Sequence, residues 1–208
     1  MSKALIILSY GEYLSKIDVA ALEYDHVVCA DAGYLIAKKL GIMPDTLIGD
    51  FDSMDLPEGL DAIVLPKEKN LTDAEAACDW ALRHGFTELT ILGGLGGRFD
   101  HTMGNIGLLA KYAKAKVPVT MIDGQNKVFM LRPGVHTIKK DGYKYLGIVS
   151  YDTATKGITL EGVKYPVKNE ILSNDTTYGV SNEITGEEAK LSFTQGLLLV
   201  SQTKDIDK

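Results

Sequence analysis

Cysteine is nearly absent from this 208-residue chain. The two that occur, Cys29 and Cys78, each stand in an apolar setting, so neither a disulfide framework nor a zinc site is expected. Long apolar runs are missing as well. None approaches the roughly 20 residues that a membrane helix needs. The apolar stretch near the start, Ala4 to Leu8, is too short for the core of a secretion signal and reads as a buried first strand. A soluble protein of the reducing cytoplasm is the expectation. Basic clusters are lacking too. With 22 Lys and Arg against 28 Asp and Glu, the net charge of −6 argues against a surface built for nucleic acid. It does not argue against a nucleotide, because a bound cation and a few local basic groups reverse the sign of a pocket.

What is present falls into two rhythms. Up to about Asp123, the short apolar runs KALIIL, HVVCA, TLIG, AIVL, ELTIL and VPVTMI alternate with helical patterns. Such nearly continuous runs suit parallel strands covered on both faces. The clearest helix is TDAEAACDWALRHG. Thr72 is an N-cap, Glu75 completes a capping box, and Ala74, Ala77, Cys78, Ala81 and Leu82 form one apolar stripe before Gly85. A further helix is expected over about Thr102 to Lys114. After Gly124 come short β-type runs, KVFMLRPG, VHTIKKDG, YKYLGIVSYD, GITLEG, AKLSF and GLLLVSQ, punctuated by Gly, Pro, Asn and Asp. The expected fold class is an α/β N-terminal domain with a mostly parallel sheet, residues 1–124, followed by an all-β C-terminal domain, residues 125–208.

Ligands of open α/β sheets bind at the carboxyl ends of the strands. Four stretches there carry polar groups. In ADAG, Asp31 precedes a helix, and the ordinary explanation is an N-cap. In LIGDFDS, Asp50 and Asp52 flank Phe51. Extended geometry would turn both acids to one side and Phe51 into apolar material. The pair is then either a turn with solvated acids or a seat for a hard cation such as Mg²⁺. In EKNLTD, Thr72 and Asp73 lie at a helix N-terminus that favours an anion. The capping role already accounts for Thr72, and Lys69 has the ordinary reading of a solvated loop lysine. In GGLGGRFDH, four glycines in five positions follow a strand. They let the backbone turn sharply beside a ligand, and Arg98 offers a planar fork for phosphate oxygens. The spacing fits neither the P-loop nor the dinucleotide fingerprint. His101 reads as a helix-start residue rather than a metal ligand.

Taken in order, ADAG, GIMPDTLIGDFDS, EKNLTDAEAACDWAL and LGGLGGRFDHTMGNIGLL, then YGVSNEITGEEAKLSF and GLLLV, resemble the thiamine pyrophosphokinase family over nearly the whole chain. The resemblance implies transfer of the terminal diphosphoryl group of ATP to the hydroxyl of thiamine, with release of AMP. It implies a β-sandwich for the second domain and a homodimer with sites formed between subunits. Asp50, Asp52 and Asp73 would be metal and catalytic acids for Mg²⁺, or Mn²⁺ in its place. Asp31 and Asp100 would line the same acidic pocket. Lys69, Asn70, Thr72 and Arg98 would serve ATP and its phosphates, and Ser181 and Asn182 would hold the thiamine pyrimidine. Asp100 or Asp73 would take the hydroxyl proton, unless the metal itself acidifies the nucleophile.

Three departures stand out. Asn70 replaces the family's usual Asp, which removes one charge. Ala32 replaces a glycine. The only tryptophan, Trp80, lies in a helix, so the C-terminal strand GLLLV offers aliphatic contacts where some relatives stack a Trp. Two rival readings follow: another Asp-x-Asp nucleotide transferase, which explains Asp50 and Asp52 but not RFDH, and a non-catalytic nucleotide-binding regulator, which Asn70 keeps open.

Overall fold

Continuous apolar runs make strands, and all six runs of the first half do so. They form β1 Lys3–Ile7, β2 His26–Ala30, β3 Thr46–Gly49, β4 Asp61–Val64, β5 Glu88–Leu92 and β6 Val119–Ile122. The computed structural model describes residues 1–51, 59–68 and 70–206. The chain divides into two units, Met1–Gly124 and Gln125–Lys208.

In the first unit these strands are parallel, in the order β4-β3-β2-β1-β5-β6. The chain therefore builds outward from β1 through β4, then returns to lay β5 and β6 on the other side of β1. That reversal puts β1 beside β5 at a topological switch point, where loops leave in opposite directions and open a crevice. Leu5, Ile7, Val27, Cys29, Leu47 and Leu92 form one core cluster with Ala37 of the first helix. Full burial of each large side chain contributes about 1.5–3 kcal/mol. Strand β4 is mostly exposed, as befits an edge.

Among the described residues, three α-helices accompany the sheet: α1 Gly33–Leu40, α2 Asp73–Arg83 and α3 Phe99–Lys114. Helix α2 starts as its sequence predicts, with the Thr72 hydroxyl accepting the Glu75 N–H at 3.2 Å. Its buried face carries Ala74, Ala77, Cys78 and Ala81. Helix α3 begins three residues earlier than the periodicity suggests, so Asp100 and His101 lie inside its first turn and Arg98 is its N-cap. No helix among the described residues is long and apolar enough to cross a membrane.

Among its described residues, the second unit is built of strands without a helix: β7 Asn126–Leu131, β8 Gly134–Lys139, β9 Tyr145–Ser150, β10 Ala154–Glu161, β11 Val167–Ser173, β12 Glu188–Phe193 and β13 Leu198–Thr203. They pair antiparallel as β7-β13-β9 and as β11-β10-β12-β8. Alternating side chains from both sets, among them Ile148, Leu160, Leu172, Leu191, Phe193 and Val200, meet in one apolar core. Strand β11 has no counterpart in the sequence reading. Most of its residues are exposed, so no alternation announces it.

Both cysteines are free and buried, and burial pushes each thiol up to about 12. In the unfolded chain a thiol titrates near about 8.5. The stability gained by keeping both thiols neutral is therefore complete below that value. It is lost as pH rises from there toward about 12. The expected result with a coloured disulfide reagent at pH 8 is no reaction of the native protein and release of both thiols in denaturant. Rapid reaction of either thiol in the native protein would show that its enclosure is incomplete.

Candidate active site

The crevice at the switch point has a volume of about 340 Å³. Each side comes from a different strand end. The end of β1 supplies Leu8, Ser9 and Tyr10; β2 supplies Ala30 and Asp31. The start of α2 supplies Thr72 and Asp73, and the loop after β5 supplies Gly94, Gly96 and Arg98. His101 and Asn105 complete it from α3. Of the residues proposed from sequence, the fold thus brings Asp31, Thr72, Asp73 and Arg98 to one cavity.

Asp31 does not cap α1. Ala32 holds that position, with no side-chain cap bond, and Asp31 instead takes a left-handed backbone, φ 47°. Such a conformation costs a non-glycine residue about 1–3 kcal/mol and is concentrated at functional sites. The Asp31 N–H donates to the carbonyl of Ile48 at 2.8 Å, which ties the end of β2 to the end of β3. Gly49 follows, and a side chain there would press on Asp31, with its Cβ 3.0 Å from the Asp31 Cα. Glycine at this place lets Asp31 and the start of the Asp50 loop pass closely.

Asp50 is half-buried just beyond β3. The extended geometry expected between Asp50 and Asp52 does not occur at Phe51. Phe51 has φ 52°, a left-handed turn. Its ring does pack on the first unit's core, as expected of an anchor. Asp52 and Lys69 lie outside the described residues. Asn70 is exposed.

Helices α2 and α3 are locked together one or two turns below the crevice. The Lys111 ammonium donates to Glu75 Oε1 and to Asp79 Oδ1, each at 2.9 Å. The Tyr112 hydroxyl donates to Asp79 Oδ1 at 2.7 Å. Burial disfavours the Lys111 charge, yet the bonds to Asp79 and Glu75 prevail and raise its pKa above the ordinary lysine value. This network ties the first two turns of α2, which begins with Asp73, to the last turn of α3.

Arg98 is exposed and forks onto Asp100: Nε donates to Oδ1 at 3.2 Å and an Nη to Oδ2 at 2.7 Å. The guanidinium holds the Asp100 carboxyl below the usual carboxylate range. That lowers its affinity for a proton and weighs against Asp100 as the base while the pair persists.

The glycine loop is fastened on two sides. Asn105 Nδ2 donates to the Gly94 carbonyl and Thr102 Oγ1 to the Gly96 carbonyl, each at 2.9 Å. The Gly94 N–H donates to the Tyr10 carbonyl at 2.7 Å. The N–H groups of Leu95, Gly96 and Gly97 donate to no other group among the described residues. Ser9, Tyr10 and Asn105 escaped the sequence reading. The signal that would have found Ser9 and Tyr10 was available: they follow the first apolar run, at a carboxyl strand end like the four stretches singled out.

In the second unit, a separate cavity of about 450 Å³ lies among Ile148, Leu160, Tyr165, Val167, Tyr178 and Asn182. The Asn182 side chain has a structural duty there. Its amide donates to the Tyr165 carbonyl at 2.8 Å, and its oxygen accepts from Tyr165 and Glu183 N–H groups at 3.0 and 2.9 Å. Ser181 is exposed and, like Asp31, left-handed, with φ 59°.

Comparison with known proteins agrees along the chain. Residues 20–121 match the family profile described as the thiamin pyrophosphokinase catalytic domain, and residues 135–198 match its vitamin B1 binding domain. The thiamine pyrophosphokinase of Bacillus subtilis is 34% identical over 183 residues, covering 84% of this chain and 86% of that protein. Thiamin pyrophosphokinase 1 of Caenorhabditis elegans is 27% identical over 74% of this chain and 68% of its own. The crystal structure of the Bacillus subtilis enzyme superposes with a TM-score of 0.89 at 29% identity, over 99% of this chain and all (100%) of that one.

Proposed function

The chain belongs to the thiamine pyrophosphokinase family, and on that basis we propose how its own residues carry the reaction. The thiamine hydroxyl oxygen attacks the β-phosphorus of ATP, the bond from that phosphorus to the α-bridging oxygen breaks, and AMP leaves. The hydroxyl proton passes to a carboxylate or to water. The observation that carries this reading is the crevice between β1 and β5, where the acids Asp31 and Asp73 face the same cavity as Arg98 and a glycine loop with unengaged N–H groups.

Three phosphates bring a concentrated negative charge, and diphosphoryl transfer is largely a matter of neutralising it and holding the reactants in line. Arg98 already makes two parallel bonds to one carboxylate, the arrangement that also grips phosphate oxygens. The glycine loop offers backbone donors, and the α2 N-terminus adds its dipole. Asn70, exposed beside that helix start, contributes an amide at most.

No three or more His, Cys, Asp or Glu side chains converge on a metal position among the described residues. Mg²⁺ commonly takes only one or two carboxylates and completes its shell with water and phosphate oxygens, so a set of carboxylates at these strand and helix ends fits it. Asp50 and Asp73 would hold it together with Asp52. When bound, a divalent ion adds charge neutralisation on the phosphates and lowers the pKa of a coordinated hydroxyl. With Asp100 engaged by Arg98, Asp73 is the better-placed proton acceptor.

The second unit, read as a β-sandwich, supplies the thiamine subsite through Ser181 and Asn182 and forms a homodimer in which it completes the site of its partner. The left-handed Ser181 and the backbone-locked Asn182 are consistent with a preformed wall. A coupled assay for AMP with ATP, Mg²⁺ and thiamine tests the whole reading. AMP that depends on thiamine and disappears with EDTA is the expected result. ATP binding without any AMP would transfer the crevice to a regulatory role.

A further inference from the structure

The four glycines of GGLGG have identifiable neighbours. A side chain at Gly93 would strike the Tyr10 carbonyl. At Gly94 it would come within 2.6 Å of Leu8 Cδ1 and 2.7 Å of Asn105 Nδ2. At Gly96 and Gly97 it would meet the Tyr10 ring, at 3.1 Å from Cε1 and 3.0 Å from Cε2 respectively. Thus one residue, Tyr10, reads three of the four. Its carbonyl also accepts the Gly94 N–H at 2.7 Å, and its ring remains 41% exposed on the crevice wall.

We propose that Tyr10 is a positioning residue for diphosphoryl transfer: it moulds the glycine loop that carries Arg98 and the backbone donors, so that the loop is shaped before ATP arrives. The inference rests on the ATP reading of this crevice. Ring-on-backbone packing across Gly96 and Gly97 is possible only because neither carries a Cβ. All four glycines have positive φ, between 65° and 89°, a path that other residues rarely follow. The loop is therefore held from two elements: Tyr10 at the end of β1, and Thr102 and Asn105 on α3. Without the ring, the stretch from Leu95 to Gly97 keeps its carbonyl ties to α3 but loses its cover. An ångström of freedom at a phosphate site is costly because positioning is most of the catalysis.

The test compares Tyr10→Phe, Tyr10→Leu, Tyr10→Ala, Gly97→Ala and the double variant Tyr10→Ala/Gly97→Ala, each checked for folding by circular dichroism and melting. Steady-state constants are measured for Mg-ATP at saturating thiamine and for thiamine at saturating Mg-ATP. Tyr10→Phe, which keeps the ring, retains wild-type constants. Tyr10→Ala raises the KM for ATP roughly 10- to 100-fold and leaves the KM for thiamine and the melting temperature nearly unchanged. The double variant is less impaired than the two single effects combined, because removing the ring makes room for the new Cβ. Unchanged ATP kinetics in a folded Tyr10→Ala, or equal losses for both substrates that track the melting temperature, would overturn the proposal. If Tyr10→Ala does not fold, Tyr10→Leu against Tyr10→Phe decides it by the same ATP criterion. A wild-type protein that shows no saturable dependence on ATP would instead refute the reading of the crevice.

Discussion

Asp50→Asn is expected to lower turnover by about 10²- to 10³-fold, the effect of removing one group that stabilises transition-state charge. The substitution keeps the shape of the side chain and one of its oxygens and removes only the charge. Asp50 follows β3 at the point where Gly49 lies close against Asp31, so the backbone that presents it is placed by that close approach. The fold itself should persist, because asparagine is isosteric with aspartate, and melting checks this. The loss should be accompanied by a higher Mg²⁺ requirement and by weaker stabilisation of the fold by Mg-ATP, since stabilisation by a bound ligand rises with the logarithm of its affinity. A solvated turn acid would behave differently. In that case Asn would support the wild-type rate and the metal assignment would fall.

The parts of this protein that were legible from sequence are those where burial is continuous or local chemistry is complete. Strands β1, β2, β3 and β5 are closed to solvent over most of their length and announce themselves as apolar runs. Helix α2 carries its own start signal in Thr72 and Glu75. The first turn of α3 had neither. Phe99 is 76% exposed and Arg98, Asp100 and His101 face the crevice or solvent, so no inward stripe extends back past Thr102. Periodicity reports burial, and that turn is open to solvent. The site shows the same division. Asp31, Asp73 and Arg98 were found as polar groups at strand and helix ends. Tyr10 and Asn105 lie against neighbours 83 or more positions and 11 positions away, respectively. Only the order of strands, which sets β1 beside β5, brings Tyr10 to the glycine loop. The left-handed turn at Phe51 was also out of reach, because nothing in the residue type of a phenylalanine signals a positive φ.

Arg98→Ala should cost about 2–4 kcal/mol of transition-state stabilisation in ATP use, a fall in kcat/KM of roughly 30- to 1000-fold. Stability should hardly change. The guanidinium is 74% exposed and its pair with Asp100 is screened by water, where such pairs contribute little. Arg98→Lys restores the charge but not the planar fork, so it should recover only part of the loss. An unchanged kcat/KM for ATP in the alanine variant would remove Arg98 from the phosphate site. A second readout follows from the pair itself. Arg98 holds the Asp100 carboxyl below its ordinary range. Removing Arg98 lets that carboxyl return upward, so Asp100 gains its proton at a higher pH than in the wild type. If ionised Asp100 is part of the acidic pocket, the acid limb of the pH–rate profile moves to higher pH in Arg98→Ala. In Arg98→Ala/Asp100→Asn that displacement disappears, because no carboxyl remains at position 100 to titrate. A limb that stays in place in the single variant would separate the two residues, leaving Arg98 to the phosphates and Asp100 as its resting partner alone.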